Sequence, residues 1–504
     1  MRPFYENLPF ICIFIAIMCG VLSAVIQDGR KVYRLALMMT AVIAVLSVVL
    51  LYFLYIEDVS FVYSMGRFAA PYGNAIKAGP LQALLATAFA IVMGLSLLGG
   101  GHSLFQDILP EKQGLYFAVT DLLMAGLLAL VYTNDMFTGY VFIEITTIAA
   151  CAMVMAKDTG PNLIATIRYL FMSLLGSGLF LIGLTLLNSA TGYLLMEPLA
   201  KAVAILAELG QYQRPLVVSI GLMVVGLGIK GAMFPFHLWL PDAHGGATTS
   251  SSAILSGLVL KGYIVLLITL MTRVFGLQLM RKVGVSNILL TLGLLGMIFG
   301  SLAAMREYHV KRMLANSSVA QIGYIFMGLG LGTEAGVAAA CFHILVHAAC
   351  KPLLFICAGR LSTVSGHHRS LKNLRGSAYR DVAAGVGFTV GALSMIGIPL
   401  LGGFVSKLYL SEAALESPFM AVVLLTIAAS TVLNALYYVP AILAIWVRPA
   451  WEEVRFIMLD VKPEDMRFDR LFFIADAVFI FLIFLLGIIY HPILNVIRAG
   501  IRLM

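Results

Sequence analysis

Charge is scarce in this sequence. Of its 504 residues only 12% are Asp, Glu, Lys or Arg, where a soluble domain carries about 25%. Polar stretches are short as well. The longest, 56–79, 188–215 and 447–470, leave no room for an independent soluble fold. The last is the most charged (Glu452, Glu453, Arg455, Asp460, Lys462, Glu464, Asp465, Arg467) and reads as a cytoplasmic loop or surface helix. Cysteine is sparse. Cys12, Cys19, Cys151, Cys341, Cys350 and Cys357 all sit in apolar runs, which excludes a disulfide framework and suits small buried residues. Low-complexity tracts and short soluble-type repeats are missing too. The net charge of +8 does not indicate a nucleic-acid partner, because Lys and Arg gather in short loops between apolar runs.

What fills the chain instead is hydrophobic: 61% of residues, in stretches of the roughly 18–25 residues that cross a hydrocarbon core of about 30 Å. Inside a bilayer the backbone must satisfy its own hydrogen bonds, so helices are expected. The sequence predicts an all-α polytopic protein embedded in the lipid bilayer. Spans are drawn at 8–26, 35–55, 80–99, 115–132, 137–155, 163–187, 216–238, 251–272, 285–304, 317–331, 335–359, 382–410, 418–446 and 471–496, about fourteen in all. The first is a retained helix and not a signal peptide, since Asp28, Arg30 and Lys31 follow it where a cleavage site would need small residues. With the N-terminus outside, the loops holding Arg30 and Lys31, Arg306 to Arg312, and Arg369 to Arg380 all face the cytoplasm. The loop with Arg281 and Lys282, beside Arg273, fits this topology badly.

Two spans carry breaks. The span 216–238 is interrupted at Gly231–Pro235, and 382–410 at Gly397–Pro399, with Lys230 before the first break and Lys407 after the second. Matching broken helices in two halves point to inverted repeats around an ion path; two ordinary proline kinks are the alternative. The corresponding division is 1–114 for N-terminal helices, 115–275 and 285–446 for the repeats, and 447–504 for a loop and the last span.

A charge at mid-bilayer costs on the order of 3 kcal/mol and is seldom idle. Glu144 in GYVFIEITTIAA, Lys230 in VGLGIKGAMF, Lys261 in LSGLVLKGYIVLL and Lys407 in GGFVSKLYL are such charges. His343, His347 and Lys351 step by four residues and share one helix stripe. Imidazoles exchange protons near neutral pH, burial favours a neutral amine, and a nearby carboxylate favours the ammonium. Amines whose charge depends on a carboxylate are switchable proton sites. Other readings stand beside this one. Lys261 or Lys407 could snorkel from a helix end, and Asp135 at a helix start could be an N-cap. Arg168 suits an interface anchor or a partner for an internal acid. His237 suits a relay or a boundary residue, His244 a place at the cytoplasmic mouth. Cys341, His343, His347 and Cys350 match no standard zinc spacing, so no metal and no cofactor are expected.

The stretch K-x3-FPFHLWLPDAH-x7-SAILSG-x3-K, Lys230 to Lys261, resembles the antiporter-like ion-translocating subunits shared by complex I, Mrp-type cation/proton antiporters and membrane-bound energy-converting hydrogenases. Supporting matches are VFIE at Glu144, KRMLANSSVAQIGY at 311–324, H-x3-H-x3-KPLLF at 343–355 and GIPLLGGFVSK at 397–407, over roughly 115–410. The resemblance implies about fourteen helices with two inverted five-helix repeats and a polar axis. It implies that Glu144 sets the proton affinity of Lys230, that Lys261 and His347 carry the proton, and that Lys407 passes it to the far side. His343 and Lys351 are then lesser members. It also implies H⁺ as the transported ion, with Na⁺ in exchange as the alternative, partner membrane subunits, and a prokaryotic plasma membrane. The segment 73–86 lacks an acidic residue that many relatives carry, and GGATTSSSA has no proline before its serines, which sets the chain apart from mitochondrial complex I. With no long lateral helix after the last span, the likeness is to a medium-sized, D-type Mrp protein. A stand-alone carrier and a quinone-binding oxidoreductase subunit are the competing readings; the second calls for cluster cysteines or a cofactor motif that the sequence lacks.

Overall fold

Apolar runs with no water to bond to close their own i→i−4 ladders, and the chain is accordingly helical. The computed structural model describes residues 2–64, 68, 74–448, 461–462 and 464–504; most of the charged segment 447–470, from 449 to 460 together with 463, lies outside the described residues. The elements in order are α1 (Arg2–Val25), α2 (Gly29–Ile56), β1 (Phe61–Ser64), β2 (Ala75–Ala78), α3 (Pro80–Asp107), α4 (Pro110–Tyr132), α5 (Met136–Met155), α6 (Gly160–Thr191), α7 (Met196–Leu209), α8 (Gln213–Lys230) and α9 (Leu240–Gly246). They continue with α10 (Thr249–Val274), α11 (Leu277–Lys282), α12 (Val285–Met305), α13 (Val310–Gly330), α14 (Glu334–Thr363), α15 (Ser377–Arg380), α16 (Val382–Ile396), α17 (Gly402–Ala414), α18 (Met420–Trp446), α19 (Arg470–Ile488) and α20 (Tyr490–Arg502).

Twelve of these, among the described residues, are long and apolar enough to cross a membrane. Adding α13, which is buried along almost its whole length but carries Lys311, Arg312, Asn316 and Gln321, and the broken pair α16/α17 accounts for all fourteen spans drawn from sequence. Three boundaries move. The span 216–238 stops as a helix at Lys230, and 382–410 is two helices. The span 471–496 ends at Ile488, and α20 follows as a separate amphipathic helix.

Burial sorts the helices. The apolar windows of α10 and α14 are entirely buried, whereas only 33% and 28% of those of α2 and α18 are. A helix buried all round is the core of a membrane bundle, and here that core is the α10/α14 pair, which carries Lys261, His343, His347 and Lys351 inside it. Neighbouring helices approach through glycine, since small residues are what let helices associate where lipid removes any hydrophobic drive. A Cβ on Gly226 of α8 would lie 2.5 Å from the Gly176 carbonyl of α6, and one on Gly293 of α12 would lie 2.4 Å from the Met327 nitrogen of α13.

The connections collect at two ends. At one, Lys157 pairs with Asp107 (2.8 Å), Arg312 with Asp242 (2.6 Å), and Arg360 with Asp381 (2.7 Å). At the other, β1 and β2 form an antiparallel pair, Lys77 donates to the Met504 carbonyl (2.8 Å), and Arg502 pairs with Asp58 (2.6 Å). All six cysteines are free and buried. Asp135 caps α5, accepting from the Thr138 amide at 2.6 Å.

Candidate functional site: a buried polar file

The two helix breaks come first, because they set where the lysines sit. At the first, α8 ends at Lys230 and the chain turns irregularly through 231–239, with Ala232 at φ 56°. At the second, α16 ends at Ile396 and is capped by Gly397, φ 100°, and α17 begins at Gly402. The freed carbonyls of a broken helix C-terminus attract cations. Lys407 of α17 meets that demand: its Nζ donates to the Ile396 carbonyl (2.7 Å) and to Thr431 Oγ1 (3.1 Å). Gly397 is required twice over, since its φ is left-handed and a Cβ there would lie 3.1 Å from Lys407 Cδ.

Lys230 is fully buried and lies 3.8 Å from Glu144 Oε1, about 1 Å beyond a charge-assisted hydrogen bond. Its Nζ donates instead to Thr147 Oγ1 (2.6 Å), one turn along α5 from Glu144, and stands 5.4 Å from the Tyr263 ring centroid. Thr147 Oγ1 is 3.2 Å from the Tyr263 hydroxyl, which carries the contact onto α10. Lys261, on the same helix, donates to the Ser256 carbonyl. The turn Leu255–Val259, which holds Ser256 and precedes Lys261, is π-helical, a form frequent at functional sites.

From α10 the polar groups continue. Ser256 Oγ meets Ser318 Oγ of α13 (2.9 Å), and Ser318 is bonded to the Leu314 carbonyl (3.0 Å). Lys351 of α14 donates to that same carbonyl (2.9 Å) and to the Tyr438 hydroxyl (3.1 Å). Tyr438 is 2.8 Å from Ser317 Oγ, which accepts from Tyr437 (2.8 Å), itself bonded to Asn434 Oδ1 (2.7 Å). Along α14, His347 and His343 stack with ring centroids 6.3 Å apart, and His343 Nδ1 meets Ser406 Oγ at 2.9 Å, next to Lys407. Both nitrogens of His347, and Nε2 of His343, have no protein partner among the described residues. Buried polar atoms need a partner, and ordered water supplies one in polar cavities.

Glu144 and Lys230 thus fall in one polar group with Thr147 and Tyr263, Lys261 and Lys351 in a second through Ser256, Ser318 and the Leu314 carbonyl, and His347, His343 and Lys407 in a third around Ser406; together these groups make up the file from α5 to α17. Snorkelling does not describe Lys261 or Lys407, both buried inside the bundle. Arg168 pairs with Asp242 at 2.6 Å. His237 is buried against Phe234, and no hydrogen bond joins it to the file among the described residues. His244, placed by sequence at the cytoplasmic mouth, is fully buried and stacked on Phe355 (4.7 Å). Lys311, which reads as one more loop cation, is buried and donates to the Ala247 carbonyl (3.0 Å). Thr147, Tyr263, Ser318 and Tyr438 went unmarked in the sequence, since hydroxyls in apolar helices commonly bond their own backbone. The Tyr437–Tyr438 doublet inside an apolar run was the available signal.

Comparison with known proteins adds three findings. A family described as NADH:quinone oxidoreductase/Mrp antiporter, transmembrane, matches residues 133–433. The chain is 34% identical over 386 residues, 75% of this chain and 73% of the other, to NADH-quinone oxidoreductase subunit N of Desulforudis audaxviator. It is 31% identical over 355 residues, 70% and 69%, to the D-type component of a Na(+)/H(+) antiporter of Alkalihalophilus pseudofirmus. Two solved structures share the fold. The Mrp complex from Dietzia sp. aligns at TM-score 0.85 and 20% identity, and an archaeal membrane-bound sulfane sulfur reductase at 0.81 and 25%, each covering 99% of this chain and 97% of the other.

Proposed function

This chain belongs to the NADH:quinone oxidoreductase/Mrp antiporter transmembrane family, a membrane ion-translocating subunit of a multi-subunit complex, and we propose that its polar file is the route of a proton. One observation carries the reading: amines, imidazoles and hydroxyls succeed one another across the bundle, each exchanging a proton without needing an oxygen cage. A hard cation would call for several oxygen ligands at one point, and the file offers a single carboxylate, Glu144. Na⁺ enters this reading as the exchanged ion, in keeping with the antiporter name of one relative.

In this mechanism Glu144 and Lys230 form a loose pair. At 3.8 Å the attraction is through space, and Thr147 holds the ammonium in place. Closing the pair stabilises the charged amine; opening it favours release of the proton toward Tyr263 and Lys261. Lys351, His347 and His343 pass it along α14, and Lys407, held on the broken end of α16, delivers it. His237 joins as a relay at the first break. The likeness of the two breaks, each with a lysine beside it, supports inverted repeats at 115–275 and 285–446. The end rich in Lys and Arg is the cytoplasmic one by the positive-inside bias, and the membrane is a prokaryotic plasma membrane. Partner subunits of an Mrp-like, hydrogenase-like or complex I-like assembly complete the machine.

The test is ion translocation in vesicles holding the assembled complex with Lys230→Ala or Glu144→Gln. Both variants are expected to lose most coupled transport, Lys230→Ala the more severely. Wild-type rates in both would remove the file as the route.

A further inference from the structure

At the Lys- and Arg-rich end, away from the file, a cavity of about 560 Å³ opens beside the N-terminus of α6. Lys157, Arg168, Arg312 and Arg369 line it with one carboxylate, Asp242, and two carboxylates outside the lining, Asp107 and Glu307, pair with Lys157 (2.8 Å) and Arg312 (3.2 Å). Arg168 and Arg312 share that carboxylate at 2.6 Å each, whereas the hydrogen bond of Arg369 is to the Gly245 carbonyl (3.0 Å). Four cations against three carboxylates leave one positive charge in excess. The imidazole of His309, also in the wall, is pushed down to about 4 by burial and by Arg369, Lys311 and Arg312, and so is neutral at pH 7.

Two further features point to an anion. Thr159, the N-cap residue of α6, makes no side-chain cap bond, and since Pro161 has no N–H and the Leu163 amide bonds the Thr159 carbonyl (3.0 Å), the Gly160 and Asn162 amides of the first turn are left without a side-chain cap. Asn162, 2% exposed and lining the cavity, has no partner for its Nδ2 among the described residues. The position suits a lipid in particular. At 1.5 Å per residue α6 is about 48 Å long, well beyond the roughly 30 Å of hydrocarbon, and its first turns lie at the charged end of the bundle, beside Lys157, Arg312 and Arg369. Ile164 lines the cavity, and its exposed face of α6 continues through Phe171 and Leu175, about 16 Å of apolar surface leading toward the bilayer centre.

We propose that this cavity is a site for an anionic phospholipid, its phosphate held by Arg168, Arg369 and Lys157 over the α6 N-terminus and an acyl chain laid along Ile164, Phe171 and Leu175. A free phosphate would use the cations but not the apolar stripe. An acidic segment of a neighbouring protein would use neither the headgroup depth nor the stripe.

Native mass spectrometry of the full-length chain tests this with phosphatidylglycerol, phosphatidylcholine of the same acyl chains, and inorganic phosphate as probes. Phosphatidylglycerol is expected to be retained at least about tenfold more tightly than phosphatidylcholine, and inorganic phosphate not to displace it. The pair Arg168→Gln and Arg369→Gln should lower retention by more than about tenfold, while Arg168→Lys and Arg369→Lys should keep most of it. Lipid-free thermal melting verifies that each variant is folded, and the wild-type comparison stands without any variant. Equal retention of both lipids, displacement by inorganic phosphate, or a folded glutamine variant that holds phosphatidylglycerol as wild type does would each overturn the proposal. So would a carbodiimide cross-link from Lys157 to a carboxylate of a neighbouring protein in the assembled complex.

Discussion

Each buried lysine of the file rests on a specific acceptor, and the acceptors matter as much as the amines. Lys351 has two, the Leu314 carbonyl and the Tyr438 hydroxyl. Tyr438→Phe removes the second while keeping the ring and the packing. Leaving a buried donor unsatisfied costs about 1–3 kcal/mol, so we expect proton transport to fall on the order of tenfold with the chain still folded, as read by flux in vesicles beside a melting curve. The amines themselves were legible, because a Lys or Glu inside an apolar run stands out against its cost. Their acceptors were not: a threonine or tyrosine in a helix looks the same whether it bonds its own backbone or a lysine from another helix. Lys311 escaped for the opposite reason. Its neighbours Arg306 and Arg312 gave it the look of a loop residue, and only packing shows it buried under Ala247.

At the scale of the element, the breaks carry the design. Gly403 opens α17 against the last turn of α16, where a Cβ would fall 1.7 Å from the Ser394 carbonyl oxygen. Backbone cannot yield as a flexible side chain does. Gly403→Ala is therefore expected to destabilise by about 1–3 kcal/mol, lowering the midpoint of thermal unfolding in detergent. Gly178→Ala on α6, where nothing lies within 4 Å, should leave it unchanged or raise it slightly, since Gly in a helix interior costs about 0.5–1 kcal/mol relative to Ala. Sequence located both breaks from their Gly and Pro residues. It overran their extent, because an apolar stretch gives the same signal whether the chain is helical or irregular. The same blindness joined α19 to α20: hydropathy runs on past Ile488, and only the amphipathic pattern of Tyr490–Arg502 separates them.

For the whole molecule, hydropathy and loop charge were enough to give an all-α bundle with two unlike ends, and the six buried cysteines make that polarity testable. None of them is open to an impermeant maleimide, so one introduced thiol reports one side. Tyr308→Cys, 81% exposed at the Lys- and Arg-rich end, should label from the cytoplasm, and Tyr212→Cys, 58% exposed at the other end, from outside. Labelling of both from one face would overturn the even alternation of spans. The central helices add an electrical consequence. Lys261 stands midway along Thr249–Val274, and His347 midway along Glu334–Thr363. Lys230 and Lys407 flank breaks inside the bundle. Lys351 and His343, however, lie eight residues apart on a spanning helix, about 12 Å along its axis. Moving one charge through the full membrane potential involves about 2.3 kcal/mol per 100 mV, and that stretch of the proposed route crosses roughly 40% of a 30 Å core. On that route voltage acts along α14 as well as where a proton is loaded and where it leaves, while a hop between helices at one depth is electrically silent.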